Sequence, residues 1–198
     1  SKPRMSAAQR VAQSIPELRH SAGRSRLAFA RCGGENARMT AAENAEDAPD
    51  PLFDLAPVSL WLEDFSDVHD LLQRWRREGV TDIRKFLEAR PAAIDEYFSC
   101  IRVLKVNQRT LDLYGARSLD ELLAAGARIF AADDATAPIQ EIEQLWLGAT
   151  AYRSETVNHT LDGRRLDIRL NVNRLADATR PWDRMLMAIE DFTAEKRA

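Results

Sequence analysis

Three histidines, two cysteines and a few adjacent acids are the side chains of this 198-residue sequence with the clearest capacity for chemistry. His20, His69 and His159 stand far apart, and none forms HExxH or another close metal pair, the spacing that sets two imidazoles around one ion. Cys32 and Cys100 each lack a second thiol nearby. Cys32, in RCGGEN, reads as an exposed thiol rather than a catalytic one. The neighbours Asp133-Asp134 and Glu190-Asp191 read as a solvated turn and a strand end, not as an acid–base pair. The sequence has no Walker loop, no GxGxxG and no GxSxG elbow. Ser, His and Asp are too common for composition to speak for or against a triad. The expectation for this segment is a non-enzyme with no metal site.

Composition narrows the alternatives. The formal net charge of -3 provides no basic field to hold nucleic acid. No run of about 18 apolar residues is present, so no membrane span is expected. The first residues lack the apolar core of a secretory signal, and two cysteines make no disulfide framework. A reduced, cytoplasmic setting is expected, although a piece of a longer protein would have lost its targeting segments.

The elements that would position a site begin near Pro51. Before it, residues 1–34 are basic and residues 35–54 acidic, with little apolar periodicity in either block. Residues 1–50 read as a largely flexible extension, because such a stretch buries too little to offset its ordering entropy. Within it, residues 6–18 could form one helix with Val11, Ile15 and Leu18 on a face. After Pro51, Val58, Leu60 and Leu62 alternate with Ser59, Trp61 and Glu63, a half-buried strand. A helical block over about 66–100 follows. Ser66 reads as its first N-cap, Gly79 as a stop, Thr81 as the next start and Pro91 as the first turn of a third helix with Ile94, Tyr97 and Phe98 inward.

Val103 to Val106 is the second predicted strand, followed by a helix to Tyr114 that Gly115 ends. Ser118 and Glu121 suit a capping box. A further helix spans about 137–147. The remainder is sheet: a strand over 152–160, a turn at Leu161-Asp162-Gly163-Arg164, then Leu166, Ile168, Leu170 and Val172 in strict alternation. A last strand runs over 184–192, and a helix starts at Thr193.

Two strands, several helices and three strands make an antiparallel sheet with its helices gathered in the middle, an α+β plan. The run VLKVNQRTLDLYG resembles the strand-to-helix junction of PAS (Per-ARNT-Sim) sensory domains. TLDGRRLDIRL resembles their hairpin, EDFTAEKR their terminal Asp-x-Thr before an output helix, and APVSLWLEDFS the first strand of a variety with extra helices before the second strand. The resemblance covers about Leu52–Arg197. It implies a five-stranded antiparallel sheet with helices on one face, a PAS domain over 51–193, and the start of an output linker helix over 194–198.

Several expectations follow from the resemblance. The domain would sense a small ligand or its own dimer state and relay it to an output module of the histidine kinase or diguanylate cyclase type. Tyr114, Phe130, Trp146, Leu170 and Met187 are the pocket candidates, each with plain core packing as the alternative. Asn107 reads first as a local backbone clamp and second as a pocket contact. Asp191 would pair with Arg164 or Arg165 and, with Thr193, tie the last strand to the output helix. His159 is poorly placed as a haem ligand, and the light-sensing Asn-Cys-Arg run is absent, which argues against haem and a photoactive flavin. The cofactor is unknown, a small apolar metabolite or none. The N-terminal and C-terminal helices would serve a homodimer. The rival reading is a ligand-free interaction domain.

Overall fold

The computed structural model describes residues 50–130 and 136–197. The N-terminal block of 1–49, with its predicted helix, lies outside the described residues. Five strands form one sheet in the order β2-β1-β5-β4-β3, and every adjacent pair is antiparallel. They are β1 Ser59–Asp64, β2 Arg102–Val106, β3 Ala151–His159, β4 Arg165–Arg174 and β5 Met185–Asp191. The helices are α1 Pro51–Asp54, α2 Ser66–Arg77, α3 Ile83–Ala89, α4 Ala92–Ser99, α5 Gln108–Tyr114, α6 Leu119–Ala124, α7 Gly126–Ile129, α8 Thr136–Trp146 and α9 Thr193–Arg197. The α+β plan read from the sequence is the observed one.

Local chemistry explains most boundaries. Asn107 accepts from Thr110 N at 3.1 Å and opens α5, and Gly115 closes it at φ 72°, a conformation costly for any residue with a Cβ. Ser118 accepts from Glu121 N at 3.2 Å, while the Glu121 carboxylate turns back to Arg117 N at 2.7 Å. Two predicted starts move. Ser66 is the first residue of α2 rather than its cap, since Asp64 accepts from both Ser66 N (2.8 Å) and Ser66 Oγ (2.5 Å). The cap of α3 is Asp82, whose Oδ1 accepts from Lys85 N at 3.0 Å, and the helix begins at Ile83 instead of Thr81.

The strand alternation divides the sheet into an inner and an outer face. Trp61 pairs with Met187 and Val106, Met187 with Val172, and Val172 with Tyr152, so these share the inner face. On β1 Ser59, Trp61 and Glu63 are buried, with Asp64 at the end of the strand, while Leu60 and Leu62 stay half-buried on the outer face. The bulky indole of Trp61 takes the core position, and Ser59 is satisfied by Thr110 Oγ1 at 2.8 Å. Apolar side chains on the inner face meet the helices in two clusters. One joins Leu72, Trp75, Leu87, Ile94, Ile142 and Leu145 of the helices to Val172 and Met185. The other joins Trp61, Tyr114, Leu122 and Ile129 to Leu166, Ile168 and Ile189.

The loop between β4 and β5 is gathered around the Asp183 carboxylate. Asp183 accepts from Ala178 N, Thr179 N and Arg180 N at 2.8, 2.6 and 3.1 Å. Burial alone would raise its pKa, but these backbone donors overcome that and hold it at about 2. The loop also fixes Trp182 at φ 62°, its N–H bonded to Asp177 and its carbonyl accepting from Phe65 N.

Candidate functional site

The interior between sheet and helices carries two polar features inside otherwise apolar surroundings. The first surrounds Trp61. Its ring is 1% exposed and lies edge-on to both Tyr114 and Phe130, with centroids 6.0 Å away in each case. The Trp61 Nε1–H is buried and has no acceptor among the described residues, an uncommon condition for a fully buried donor. Tyr114 is buried and accepts from Asn158 Nδ2 at 2.8 Å through its hydroxyl, and burial holds that hydroxyl well above the ordinary tyrosine range. Phe130 is 39% exposed and closes one side of Trp61 at the end of α7.

The pocket candidates therefore divide. Tyr114 and Leu170 belong to the cluster around Trp61, Phe130 stands at its edge, and Met187 touches both clusters. Trp146 does not join them. It packs on the helical cluster at the end of α8, under the Arg76 guanidinium at 4.5 Å, and its carbonyl accepts from Arg76 Nη2. Trp61 was missed as a member because alternation separates the faces of a strand without saying which one is covered.

The second feature is a group of four: Glu63 on β1, Tyr97 on α4, Glu141 on α8 and Tyr152 on β3. Tyr97 Oη donates to Glu141 Oε1 at 2.5 Å, and Tyr152 also bonds to Glu141. Glu63 is 6% exposed, and burial first and the Glu141 charge second push its carboxyl up to about 8. Burial raises Glu141 as well, against the opposing effect of its two tyrosine donors. None of these four was singled out as a site residue from sequence. The available signal was Glu63 in phase with Trp61 on a strand whose covered face was undetermined.

The relay residues sit at two junctions. Asn107, 1% exposed, uses its whole amide. Oδ1 accepts from Leu60 N, Thr110 N and Thr110 Oγ1 at 3.0, 3.1 and 3.0 Å, and Nδ2 donates to Phe53 O and Val58 O at 3.1 and 2.8 Å. It thereby joins α1, β1 and α5. At the other end Asp191 Oδ1 accepts from Thr193 N at 2.9 Å, and Thr193 Oγ1 accepts from Asp167 N at 2.8 Å. Arg165 pairs with Asp167 at 2.9 Å, and Lys196 reaches the same carboxylate. Arg164 is exposed, and its N–H closes the hairpin on Thr160 Oγ1 at 2.9 Å. Asp167, unread from the sequence, is thus the acid at the centre of this corner.

Among the described residues no three metal-ligating side chains converge, and no helix is long and apolar enough to cross a membrane. No protein-family model matches the sequence, and no curated protein matches it significantly. Similar folds occur in solved structures. A LOV protein of Rhodobacter sphaeroides is 15% identical, with 77% of this chain and 68% of that one covered and a TM-score of 0.47. The LOV domain of a blue-light activated histidine kinase of Erythrobacter litoralis is 14% identical over 68% of this chain and 95% of that one, TM-score 0.43. The PAS domain of an HTR-like protein of Haloarcula marismortui is 15% identical over 76% and 90%, TM-score 0.40. By its own sheet order, its Asn-capped strand-to-helix junction and its Asp-x-Thr corner, this chain has a PAS-like fold.

Proposed function

We propose that residues 51–193 are a sensory domain that holds a small ligand between sheet and helices and relays its presence through α9. The observation that carries this is the Trp61 indole, a buried donor between Tyr114 and Phe130 without an acceptor among the described residues. A ligand with a carbonyl or carboxylate acceptor and an apolar body would satisfy it. The segment starting at Thr193 is read as the beginning of a linker helix to an output module of the histidine kinase or diguanylate cyclase type, in a homodimeric, cytoplasmic protein. The domain itself carries no reaction in this reading.

Flavin photochemistry finds little support in the residues. The one cysteine among the described residues, Cys100, is buried at the end of α4 in the helical cluster, apart from the Trp61 group. The half-buried outer face, where Leu60 neighbours Ala188 and Leu62 neighbours Leu186, favours a second reading as a ligand-free interaction domain.

Native mass spectrometry of residues 1–198 beside an absorption spectrum tests the choice. A co-purifying mass that is lost in Trp61→Phe, with folding intact, supports ligand sensing. A ligand-free wild type that also fails to take up carboxylate-bearing apolar compounds sinks it, and visible absorbance would identify a chromophore directly.

A further inference from the structure

Trp61 is a buried donor in a part of the interior that holds no compensating charge. Its Nε1–H has no acceptor among the described residues, and its ring lies edge-on to Tyr114 and Phe130. Its strand neighbours on the inner face are Val106 and Met187, both apolar. The Tyr114 hydroxyl accepts from Asn158 Nδ2 at 2.8 Å and keeps a proton of its own to give. The polar atoms of this cluster are thus neutral donors in an apolar surround.

The charged groups on the elements around the cluster are acids, or are turned away from it. Among the described residues, no Lys, Arg or His belongs to the Trp61 cluster. On β1, Glu63 stands two positions from Trp61 on the same face. On β5, Asp191 stands opposite Ile168, a member of the cluster. Lys105 on β2 pairs with Asp54, and on β4 Arg165 pairs with Asp167 and Arg169 with Glu155 and Glu190. His159 on β3 is in register with Arg165, on the outer face. Arg117 pairs with Glu121, and Arg109 on α5 and Arg128 on α7 are exposed. An anion beside Trp61 would lose its hydration in exchange for neutral donors and nearby acids, with no cation to offset the loss.

Resting on the reading of this interior as ligand-holding, we propose that the Trp61 end takes uncharged carbonyl compounds with an apolar body, and takes a carboxylic acid only in its protonated form. The carbonyl oxygen accepts from the Trp61 indole, and an acid brings its own proton in from solvent.

The test uses residues 1–198 with probes of one shape: benzylacetone, a ketone; hydrocinnamic acid; and butylbenzene, the hydrocarbon. In calorimetric titration the ketone should bind about five- to tenfold more tightly than the hydrocarbon, the effect of one neutral hydrogen bond. Trp61→Phe should bring these two to the same affinity. The acid should bind about tenfold more weakly for each unit of rising pH between about pH 5.5 and about pH 7.5, with one proton taken up, while the ketone stays flat. Should Trp61→Phe fail to fold, the indole ¹⁵N–¹H resonance of wild-type Trp61 reads the same bond, shifting with the ketone and much less with the hydrocarbon. A molecule that co-purifies supports the proposal when it is an uncharged carbonyl compound or a carboxylic acid, and overturns it when it is a permanent anion such as a phosphate ester. Equal binding of ketone and hydrocarbon, or acid binding that does not change with pH, overturns the proposal and leaves the ligand-holding reading in place. Uptake of none of the probes by a ligand-free wild type overturns the ligand-holding reading and this one with it.

Discussion

Lys196 Nζ lies 2.7 Å from Oδ1 of Asp167, so the helix that leaves the sheet is pinned to β4 three positions past the hairpin turn. Arg165 shares the same carboxylate, and Phe192 N donates to Asp167 O at 3.0 Å. The Arg165 and Lys196 donors hold the Asp167 carboxyl well below its ordinary value of 3.8. A carboxyl lowered in the folded state stabilises above its unfolded pKa and loses that contribution as pH falls. The α9 contact is therefore expected to loosen below about pH 4, in the acid range where Asp167 takes up its proton.

Lys196→Met keeps the length of the side chain and removes its charge. Both basic partners of Asp167 are about half exposed, so global stability should change by less than about 1 kcal/mol. The local effect should be larger. Backbone amides of 194–197 should exchange several-fold faster while those of β4 and β5 keep their protection, a contrast read by hydrogen exchange. Unchanged protection of α9 would mean that Thr193 and Phe192 hold it without the ion pair.

Asn107→Ala should be among the most damaging single changes in the domain. It removes the side-chain partner of Leu60 N and Val58 O, whereas Thr110 N keeps the Asn107 carbonyl at 3.1 Å and Phe53 O keeps Ala56 N at 3.4 Å. A loss of about 3 kcal/mol in urea unfolding is expected, the sum of a lost cap and buried unpaired groups. A loss near that of an ordinary surface cap, about 1 kcal/mol, would show that water replaces the amide.

Two glycines provide a matched comparison. A Cβ at Gly115 would meet nothing within 4 Å, so Gly115→Ala tests backbone conformation alone. At φ 72° it should destabilise by about 1 kcal/mol. Gly126 has no positive φ, and its Cβ would meet the Phe130 ring at an ordinary 3.7 Å. Gly126→Ala should be neutral or stabilising by up to about 1 kcal/mol. Thermal unfolding of the pair, with opposite signs expected, checks both.

Local signals carried the fold a long way. Asn107, Gly115, Ser118 and the alternation over Leu166–Val172 act through neighbours a few residues apart, and each marks an element that the structure contains. The site was less legible because its members meet across the sheet. Trp61 and Glu63 share a face with Ser59, but the richer apolar count of Val58, Leu60 and Leu62 points to the other face. Trp146 and Tyr114 both read as inward aromatics, yet they sit in different clusters because α8 and α5 cover different parts of the sheet. Asp167 lies between Leu166 and Ile168, on the face of β4 opposite the core. It is buried because α9 folds back over it, a long-range contact that strand periodicity does not encode.

Glu63 makes stability depend on pH in the direction opposite to Asp167. Its folded carboxyl titrates at about 8, against an ordinary value of 4.5. Such a group stabilises fully below its unfolded pKa and loses that contribution as pH rises toward the folded one. The domain should lose on the order of a few kcal/mol between about pH 5 and about pH 8. Glu63→Gln removes the titration and the repulsion from Glu141 while keeping the shape. Its stability should be flatter across that range, and at pH 8 it should exceed the wild type. Urea unfolding of both proteins at half-unit pH steps measures the slopes. Parallel curves would mean that Glu63 is ionised throughout and that its charge is met by water reaching the Glu141 side of the sheet.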